Sequence, residues 1–307
     1  MEQKNYDIII IGGGPGGLTA SIYAQRAGLK TLIIEKAIAG GQVTLTPEIE
    51  NYPGYENIDG FTLGNNMKNS AVNFGAEILN TEVKSVDFSK KLKKVTVNNG
   101  NLFAKAVIIS TGAEARKLGV KNEESFIGKG ISYCAHCDGM FFRGKTVVVA
   151  GGGNSAVSDA LYLSNICSKV YIVHRRDKLR ASKIYNEKIF KKDNIEILWN
   201  TKIVDFIGEE RISGVMLENT KDQSISKLSC DGVFVSIGRT PETKLFKDIL
   251  DIDEGGYILS DETTKTNIDG VFAVGDVRKK ELRQIVTAVS DGAVSAHFAE
   301  KYIEETE

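Results

Sequence analysis

The sequence predicts an α/β protein built from two copies of one unit: strand, glycine turn, helix, strand. Three observations predict it. The unit opens the chain as "YDIIIIGGGPGGLTASIYAQRAGLKTLIIEK" and returns in mid-chain as "KTVVVAGGGNSAVSDALYLSNICSKVYIVHRRDKLRAS". Around both, the composition is that of a globular chain, 42% hydrophobic and 26% charged over 307 residues, which is long enough for two domains of ordinary size.

In the first copy the unbroken apolar run Ile8 to Ile11 fits a parallel strand covered on both faces, and Ala20, Ala24 and Ala27 fit a closely packed helix. The turn between them matches G-x-G-x-x-G at Gly12, Gly14 and Gly17. The match alone is weak, because glycine turns are common. Its context is complete: a strand before, a helix after, and Glu35 ending the next strand 18 residues past Gly17. The glycines permit a tight turn and close approach of backbone to a pyrophosphate at the helix N-terminus, and Glu35 suits the 2′-hydroxyl of an unphosphorylated ribose.

The second copy reads G-x-G-x-x-A at Gly151, Gly153 and Ala156, and 18 residues past Ala156 stands His174, followed by Arg175 and Arg176. An acid has been replaced by a basic run. A solvated charge run is the alternative, but the aligned glycines favour a phosphate at this register, the mark of NADP rather than NAD or FAD. Two sites of opposite preference predict two nucleotides and a fold of two Rossmann-like dinucleotide-binding domains.

Composition excludes other classes. Formal net charge is −1, and no basic face or aromatic-basic alternation points to nucleic acid or to an anionic membrane. The lysines of "SKKLKKVTV" lie beside the turn "NNGN" in a hairpin pattern and read as a solvated strand face. No apolar run approaches the roughly 18 residues of a membrane span. The opening "MEQKNYDIIIIGGG" passes from a polar lead straight into a strand, with no signal-peptide pattern. Four cysteines, two of them isolated at Cys167 and Cys230, make no secreted disulfide framework and predict a reducing cytoplasm.

The other two cysteines are Cys134 and Cys137 in "YCAHCDG". A pair at this spacing can hold a metal, form a structural disulfide or pass electrons. Further pieces lie elsewhere: "AGGQ" at Ala39 to Gln42, "ENYPG" at Glu50 to Gly54, and "TNIDGVFAVGDV", a strand reaching Gly275 and Asp276 before the helical "LRQIVTAVSDGAVSAHFAEKYI".

In this order and at these spacings, "GGGPGG", "GGQ", "ENYPG", "CAHCDG", "GGGNSA", "HRRDKLRA", "IGRTP" and "GVFAVGDV…RQIVTA" resemble the low-molecular-weight thioredoxin reductases, from about Tyr6 to Ile303. The glycine motifs are shared by many flavoproteins; a CxxC-D just before the second unit is far more specific. The resemblance implies a homodimeric FAD enzyme whose NADPH domain, residues 113–243, carries the CxxC and is inserted into an FAD domain split as 1–112 and 244–307. It implies Gly12, Gly14, Pro15 and Gly17 at the FAD pyrophosphate and Glu35 with Lys36 at the adenosine ribose. Gln42 and Asn51 are implied toward the flavin end, and Gly41, Thr111, Gly112 and Ala113 as further cofactor-binding residues. Gly275 and Asp276 would lie by the ribityl or pyrophosphate region, and Arg283 and Gln284 along the isoalloxazine. For NADPH it implies Gly151, Gly153, Asn154 and Ser155 at the pyrophosphate and His174, Arg175, Arg176 and Arg180 at the 2′-phosphate. Three departures stand out: Asn154 where the family usually has Asp, Ser158-Asp159 where it often has two Glu, and His136 where it commonly has Thr.

With the resemblance in place the three readings of the pair separate. A structural zinc needs about four ligands, and no second CxxC or spaced His pair exists to complete them, so no metal ligands are expected. A structural disulfide over so short a loop constrains little of the unfolded chain. The redox reading gives every part work: NADPH reduces FAD, and electrons pass to Cys134-Cys137 and then to oxidised thioredoxin. Cys137 is the flavin-side thiol, Cys134 the outward one, and Asp138 the acid/base. A helix start near "CDGM" would lower a thiol pKa, and an imidazolium at His136 would act in the same direction. A dithiol oxidase or a ferredoxin-fed reductase of the same fold would need no "GGGNSA…HRR". A flavoprotein feeding a peroxiredoxin would bring extra redox domains, and a non-catalytic flavin scaffold would leave the second unit and the CxxC without a role.

Overall fold

A computed structural model describes residues 5–46 and 48–306. Strand β1 (Asn5–Ile11) runs through the middle of a sheet, and its isoleucines are split by the two-residue period of a strand. Ile9 and Ile11 enter one apolar cluster, Ile8 and Ile10 the cluster on the opposite face. Burying each contributes about 1.5–3 kcal/mol. This is why the run shows no polar alternation: neither face is left to water.

From β1 the chain forms α1 (Pro15–Arg26), β2 (Thr31–Glu35), α2 (Gly60–Asn73) and β3 (Glu77–Asn80). Helix α2 is started by Asp59, whose Oδ1 accepts the Thr62 N–H at 2.8 Å. A meander follows: β4 (Val83–Asp87), β5 (Lys93–Val97) and β6 (Gly100–Ile109). The strand order is β3-β2-β1-β6-β5-β4, with β1 parallel to β2 and β6.

The β5–β6 hairpin turns where "NNGN" predicts, but the lysine run is not solvated throughout. Lys93 is 4% exposed, shares the inward face of β5 with Val95 and Val97, and donates through Nζ to the Phe88 carbonyl at 3.2 Å. Strand alternation forces one lysine of a consecutive pair inward, and burial pushes its pKa down.

After the short β7 (Ala113–Ala115) come β8 (Ile131–Ser132), α3 (Ala135–Asp138), β9 (Thr146–Ala150), α4 (Asn154–Ser164), β10 (Lys169–His174), α5 (Lys183–Ile189) and β11 (Ile195–Trp199). An antiparallel set, β12 (Thr201–Gly208), β13 (Ile212–Asn219) and β14 (Ile225–Ser229), precedes β15 (Gly232–Val235) and β16 (Arg239–Pro241). The second parallel sheet has the order β11-β10-β9-β15-β8, and Val147 with Val149 lie on one face of β9 while Val148 with Ala150 lie on the other. The chain closes with β17 (Val271–Ala273), parallel to β6, and α6 (Ile285–Thr306).

The chain divides into two compact units, Met1–Glu114 with Thr240–Glu307, and Ala115–Arg239. The crossings fall between residues 114 and 115 and between 239 and 240. The sequence reading puts them at 112–113 and 243–244. In the first unit α6 lies against α1 so closely that a Cβ on Gly292 would stand 2.2 Å from the Gly16 carbonyl oxygen.

Candidate active site

Gly12 takes a φ of +105°, and a Cβ there would sit 2.3 Å from the Ser110 carbonyl oxygen. Only glycine fits. The turn delivers the chain to α1 with Gly14 as N-cap, Pro15 opening the helix and no side chain capping its first amides. A Cβ on Gly14 meets nothing within 4 Å, so those amides and the positive end of the helix dipole face open space. That is a cradle for a pyrophosphate. Gly41 closes one side, since its Cβ would stand 3.0 Å from the Gly14 Cα. Glu35 is tied to the turn: Oε2 accepts the Gly13 N–H at 2.7 Å and Oε1 the Ala37 N–H at 2.8 Å. Lys36 is turned toward Glu242 at 3.6 Å.

The residues expected nearer the flavin meet in two pairs. Gln42 Nε2 donates to the Ala113 carbonyl at 2.7 Å, and Asn51 Nδ2 donates to Gln284 Oε1 at 3.1 Å. Thr111 Oγ1 donates to the Glu242 carbonyl at 2.7 Å, while Gly112, at φ +74°, has open space beside its Cα. The Arg283 guanidinium lies 4.1 Å from the centre of the Tyr257 ring and its buried Nε has no partner.

Asp276 follows Gly275 in a short 3₁₀ turn, Gly275–Val277. That turn is held by residues that no sequence motif marks. Buried Asp291 on α6 accepts the Gly275 N–H at 2.9 Å, Arg278 Nη1 at 3.1 Å and Lys280 Nζ at 2.7 Å. Arg278 also donates through Nη2 to the Asp261 carbonyl at 2.7 Å. Only the basic "VRKK" hints at this cluster, and its acid lies 16 residues from Gly275.

The second glycine turn repeats the first. Gly151 has φ +149° and a Cβ would stand 2.4 Å from the Ser236 carbonyl oxygen; Gly153 is the N-cap of α4, with no side-chain cap and nothing within 4 Å of a Cβ. Ser155 is exposed in the first turn of α4, and Asn154 Oδ1 accepts the Ser182 N–H at 2.8 Å. Arg180 is fastened to the turn by its N–H, 2.7 Å from the Gly152 carbonyl.

His174 stands apart from the arginines that follow it. It is 5% exposed, its Nε2 lies 3.0 Å from the Lys178 carbonyl, and a Cβ on Gly152 would be 2.3 Å from its ring. Burial, helped by the nearby arginines, pushes its pKa down. The ring therefore supports the turn, and the exposed charge at this register belongs to Arg175, Arg176 and Arg180.

Cys134 and Cys137 are joined in a disulfide. Cys134 is the N-cap of α3, and its Sγ accepts the Cys137 N–H at 3.2 Å. Asp138 closes the same turn: Oδ2 accepts the Ser132 hydroxyl at 2.6 Å, Oδ1 is buried without a partner, and burial raises the carboxyl pKa. His136 is exposed and rests on Tyr162 of α4, ring centres 4.1 Å apart. Behind it, burial raises the pKa of Asp159, which accepts from Ser236. Cys167 and Cys230 are buried free thiols, pushed up to about 11 and about 12 by burial, and so stay protonated at neutral pH. Among the described residues no cluster of His, Cys, Asp and Glu could hold a metal ion, and no helix is long and apolar enough to cross a membrane.

Comparison with known proteins gives a consistent picture. The family described as pyridine nucleotide-disulphide oxidoreductase matches residues 6–292. The chain is 48% identical over 305 residues to a thioredoxin reductase of Listeria innocua, covering 99% of this chain and 96% of the relative. A thioredoxin reductase of Bacillus subtilis is 47% identical over 306 residues, covering 99% and 96%. The crystal structure of thioredoxin reductase from Streptococcus pyogenes superposes with a TM-score of 0.94 at 42% identity, covering 99% of this chain and all of that one. Two glycine turns, a disulfide beside a half-buried acid, and likeness along the whole length lead to one conclusion: the chain belongs to the pyridine nucleotide-disulphide oxidoreductase family.

Proposed function

We propose that the chain is a thioredoxin reductase, carrying electrons from NADPH through FAD and the Cys134–Cys137 pair to oxidised thioredoxin. The observation that carries this reading is the Cys134–Cys137 disulfide with half-buried Asp138 closing its turn, in a chain that also holds two uncapped glycine turns.

The residues fit both nucleotides. Open space and free amides at Gly14 and Gly153 suit two pyrophosphates. Glu35, with both oxygens fixed by backbone amides, offers an acceptor edge to a ribose hydroxyl; Arg175, Arg176 and Arg180 offer charge to a 2′-phosphate. On this reading Gly12, Gly14, Pro15, Gly17, Glu35, Lys36, Gly41, Gln42, Asn51, Thr111, Gly112, Ala113, Gly275, Asp276, Arg283 and Gln284 form the FAD site. Gly151, Gly153, Asn154 and Ser155 hold the NADPH pyrophosphate. His174 contributes by holding the second turn in shape. The FAD domain then corresponds to the unit 1–114 with 240–307, and the NADPH domain to the unit 115–239.

When bound, FAD takes hydride from NADPH and supplies the two electrons that open the disulfide. The chain's own groups prepare the sulfurs. The Cys137 amide stabilises negative charge on Cys134 Sγ, which suits Cys134 to attack a disulfide of thioredoxin. Asp138, kept protonated more readily by its burial, supplies and recovers the proton as thiol and thiolate interconvert. The enzyme acts as a homodimer in the cytoplasm, in keeping with its likeness to bacterial thioredoxin reductases.

Anaerobic addition of NADPH to the yellow holoenzyme tests the reading, followed by turnover with a panel of thioredoxins. Rapid bleaching and saturable thioredoxin reduction are expected. Failure of NADPH to bleach the flavin, with bleaching by a dithiol or by reduced ferredoxin, would replace this reading by a dithiol oxidase or a ferredoxin-fed reductase.

A further inference from the structure

Asp138 is held from one side only. The Ser132 hydroxyl reaches Oδ2 at 2.6 Å, while buried Oδ1 meets no donor. Ser132, 5% exposed on β8, is itself fixed: its Oγ accepts the Cys134 N–H at 3.0 Å. The hydroxyl has a second possible acceptor, the Cys134 carbonyl at 3.3 Å. One proton cannot serve both, and the shorter, charge-assisted bond to the carboxylate prevails. The negative charge on Asp138 is therefore met at Oδ2 and unmet at Oδ1. A buried acceptor without a donor carries the full cost of its lost water, so a proton adds there most readily.

We infer that Ser132 is a positioning residue of disulfide exchange: it pins Asp138 through Oδ2 and so leaves Oδ1 as the oxygen that carries the proton. The inference rests on the reading of Cys134–Cys137 as a reducible pair.

The balance is as follows. Two electrons, drawn from NADPH, break the S–S bond and leave two thiolates. Cys134 Sγ already accepts the Cys137 amide, so Cys137 is the sulfur that takes the proton from Asp138 Oδ1. The products are one thiolate, one thiol and a carboxylate, and the proton of the hydride given up by NADPH passes to water. When the pair closes again, its two electrons reduce the partner's disulfide and Asp138 takes the proton back from Cys137. Burial, which raises the carboxyl pKa, and the Ser132 bond, which opposes it, set how easily Oδ1 gives that proton up. The other titratable groups nearby are the two cysteines and His136 on α3, with Asp159 and Tyr162 on α4 beside His136.

The test uses the holoenzyme reduced with dithiothreitol under argon and freed of reductant. The rate of iodoacetamide alkylation is followed against pH in wild type, Ser132→Ala, Ser132→Thr and Asp138→Asn, with bound-flavin absorbance as the check of folding. Wild type should show two inflections, one of the thiol and one at lower pH from Asp138. Ser132→Ala removes a donor to the carboxylate, disfavours its charged form, and should move the lower inflection upward; Ser132→Thr, which keeps the hydroxyl, should restore it. In Asp138→Asn the lower inflection should vanish. If it vanishes there while Ser132→Ala leaves it where wild type has it, or merely slows alkylation equally at every pH, the role of Ser132 is overturned and the acid role of Asp138 stands. If it survives in Asp138→Asn, both are overturned.

Discussion

The two glycine turns share a backbone plan and differ in what lies beneath their middle glycine. Under Gly13 the neighbour is Glu35, whose nearest atoms would be 3.3 Å from an added Cβ and whose carboxylate accepts the Gly13 amide. Under Gly152 it is the His174 ring, only 2.3 Å from an added Cβ. The first turn is held by a charge-assisted bond, the second by shape. One side chain at the first turn thus both supports the backbone and offers an acceptor edge; at the second these roles separate, and the charge lies on Arg175, Arg176 and Arg180.

The largest effect should come from removing that charge. Each charge-assisted phosphate contact contributes about 1.5–3 kcal/mol, so Arg175→Ala with Arg176→Ala should lower kcat/KM for NADPH by well over tenfold and leave that for NADH little changed. Equal wild-type kcat/KM for the two cofactors would break the comparison at its root.

Next is a support the first unit has beyond its turn. Asp291→Ala takes the shared carboxylate from buried Arg278, from half-buried Lys280 and from the Gly275 amide. A loss of about 3–5 kcal/mol in urea unfolding is expected, together with weaker FAD retention; Asp291→Asn, which keeps an acceptor for the amide, should lose less. A loss below that of an ordinary surface substitution would show the cluster to be dispensable.

Third, the two middle glycines should tolerate a methyl group unequally. Gly152→Ala forces the His174 ring to move and should cost about 1–3 kcal/mol, whereas Gly13→Ala, whose neighbour needs to yield only slightly, should cost distinctly less. Thermal unfolding of the two variants side by side decides the matter, and a reversed order refutes the steric account of the second turn.

The smallest effect is one of pH. The folded His174 pKa lies below its ordinary value, so the unfolded chain binds more protons in the interval between the two. The stability contributed by neutral His174 is fully present above the unfolded pKa of about 6.5 and declines as pH falls through that value toward the folded one. His174→Gln should flatten this part of the curve of urea midpoint against pH, and an unchanged curve in the variant would refute the assignment.

How much of this was legible in the sequence follows from the range of each interaction. The turns, their helices and the run Ile8 to Ile11 follow a spacing set inside one strand-turn-helix-strand unit, so they are readable in the chain although Gly12 packs on Ser110 and Gly151 on Ser236. The Cys134–Cys137 spacing alone left metal, structural and redox readings open, and the family resemblance was needed to read it as a redox disulfide. His174 shows the limit: its place at the end of β10 was readable, but the inward direction of its ring depends on Gly152 and Trp199, and an adjacent arginine run suggests the opposite. Lys93 misleads in the same way, because composition speaks for solvent while strand parity points the side chain inward. Asp291 and Ser132 left no mark, since their partners are chosen by packing across turns and not by a fixed local pattern.

On the proposed function both helices that would face a nucleotide begin on a glycine, which has no side chain to cap them. A side-chain cap contributes only about a few tenths of a kcal/mol over glycine at a helix start, so α1 and α4 give up little stability while their first amides stay open to a pyrophosphate. A bound nucleotide is in this sense a missing part of the secondary structure. Occupancy and unfolding are then linked by mass action, and free cofactor at a hundredfold over its Kd should add about 2.7 kcal/mol to the resistance of its unit. A cell short of either nucleotide would therefore hold this protein in a looser form, and the supply of cofactor would govern how long the chain survives as well as how fast it works.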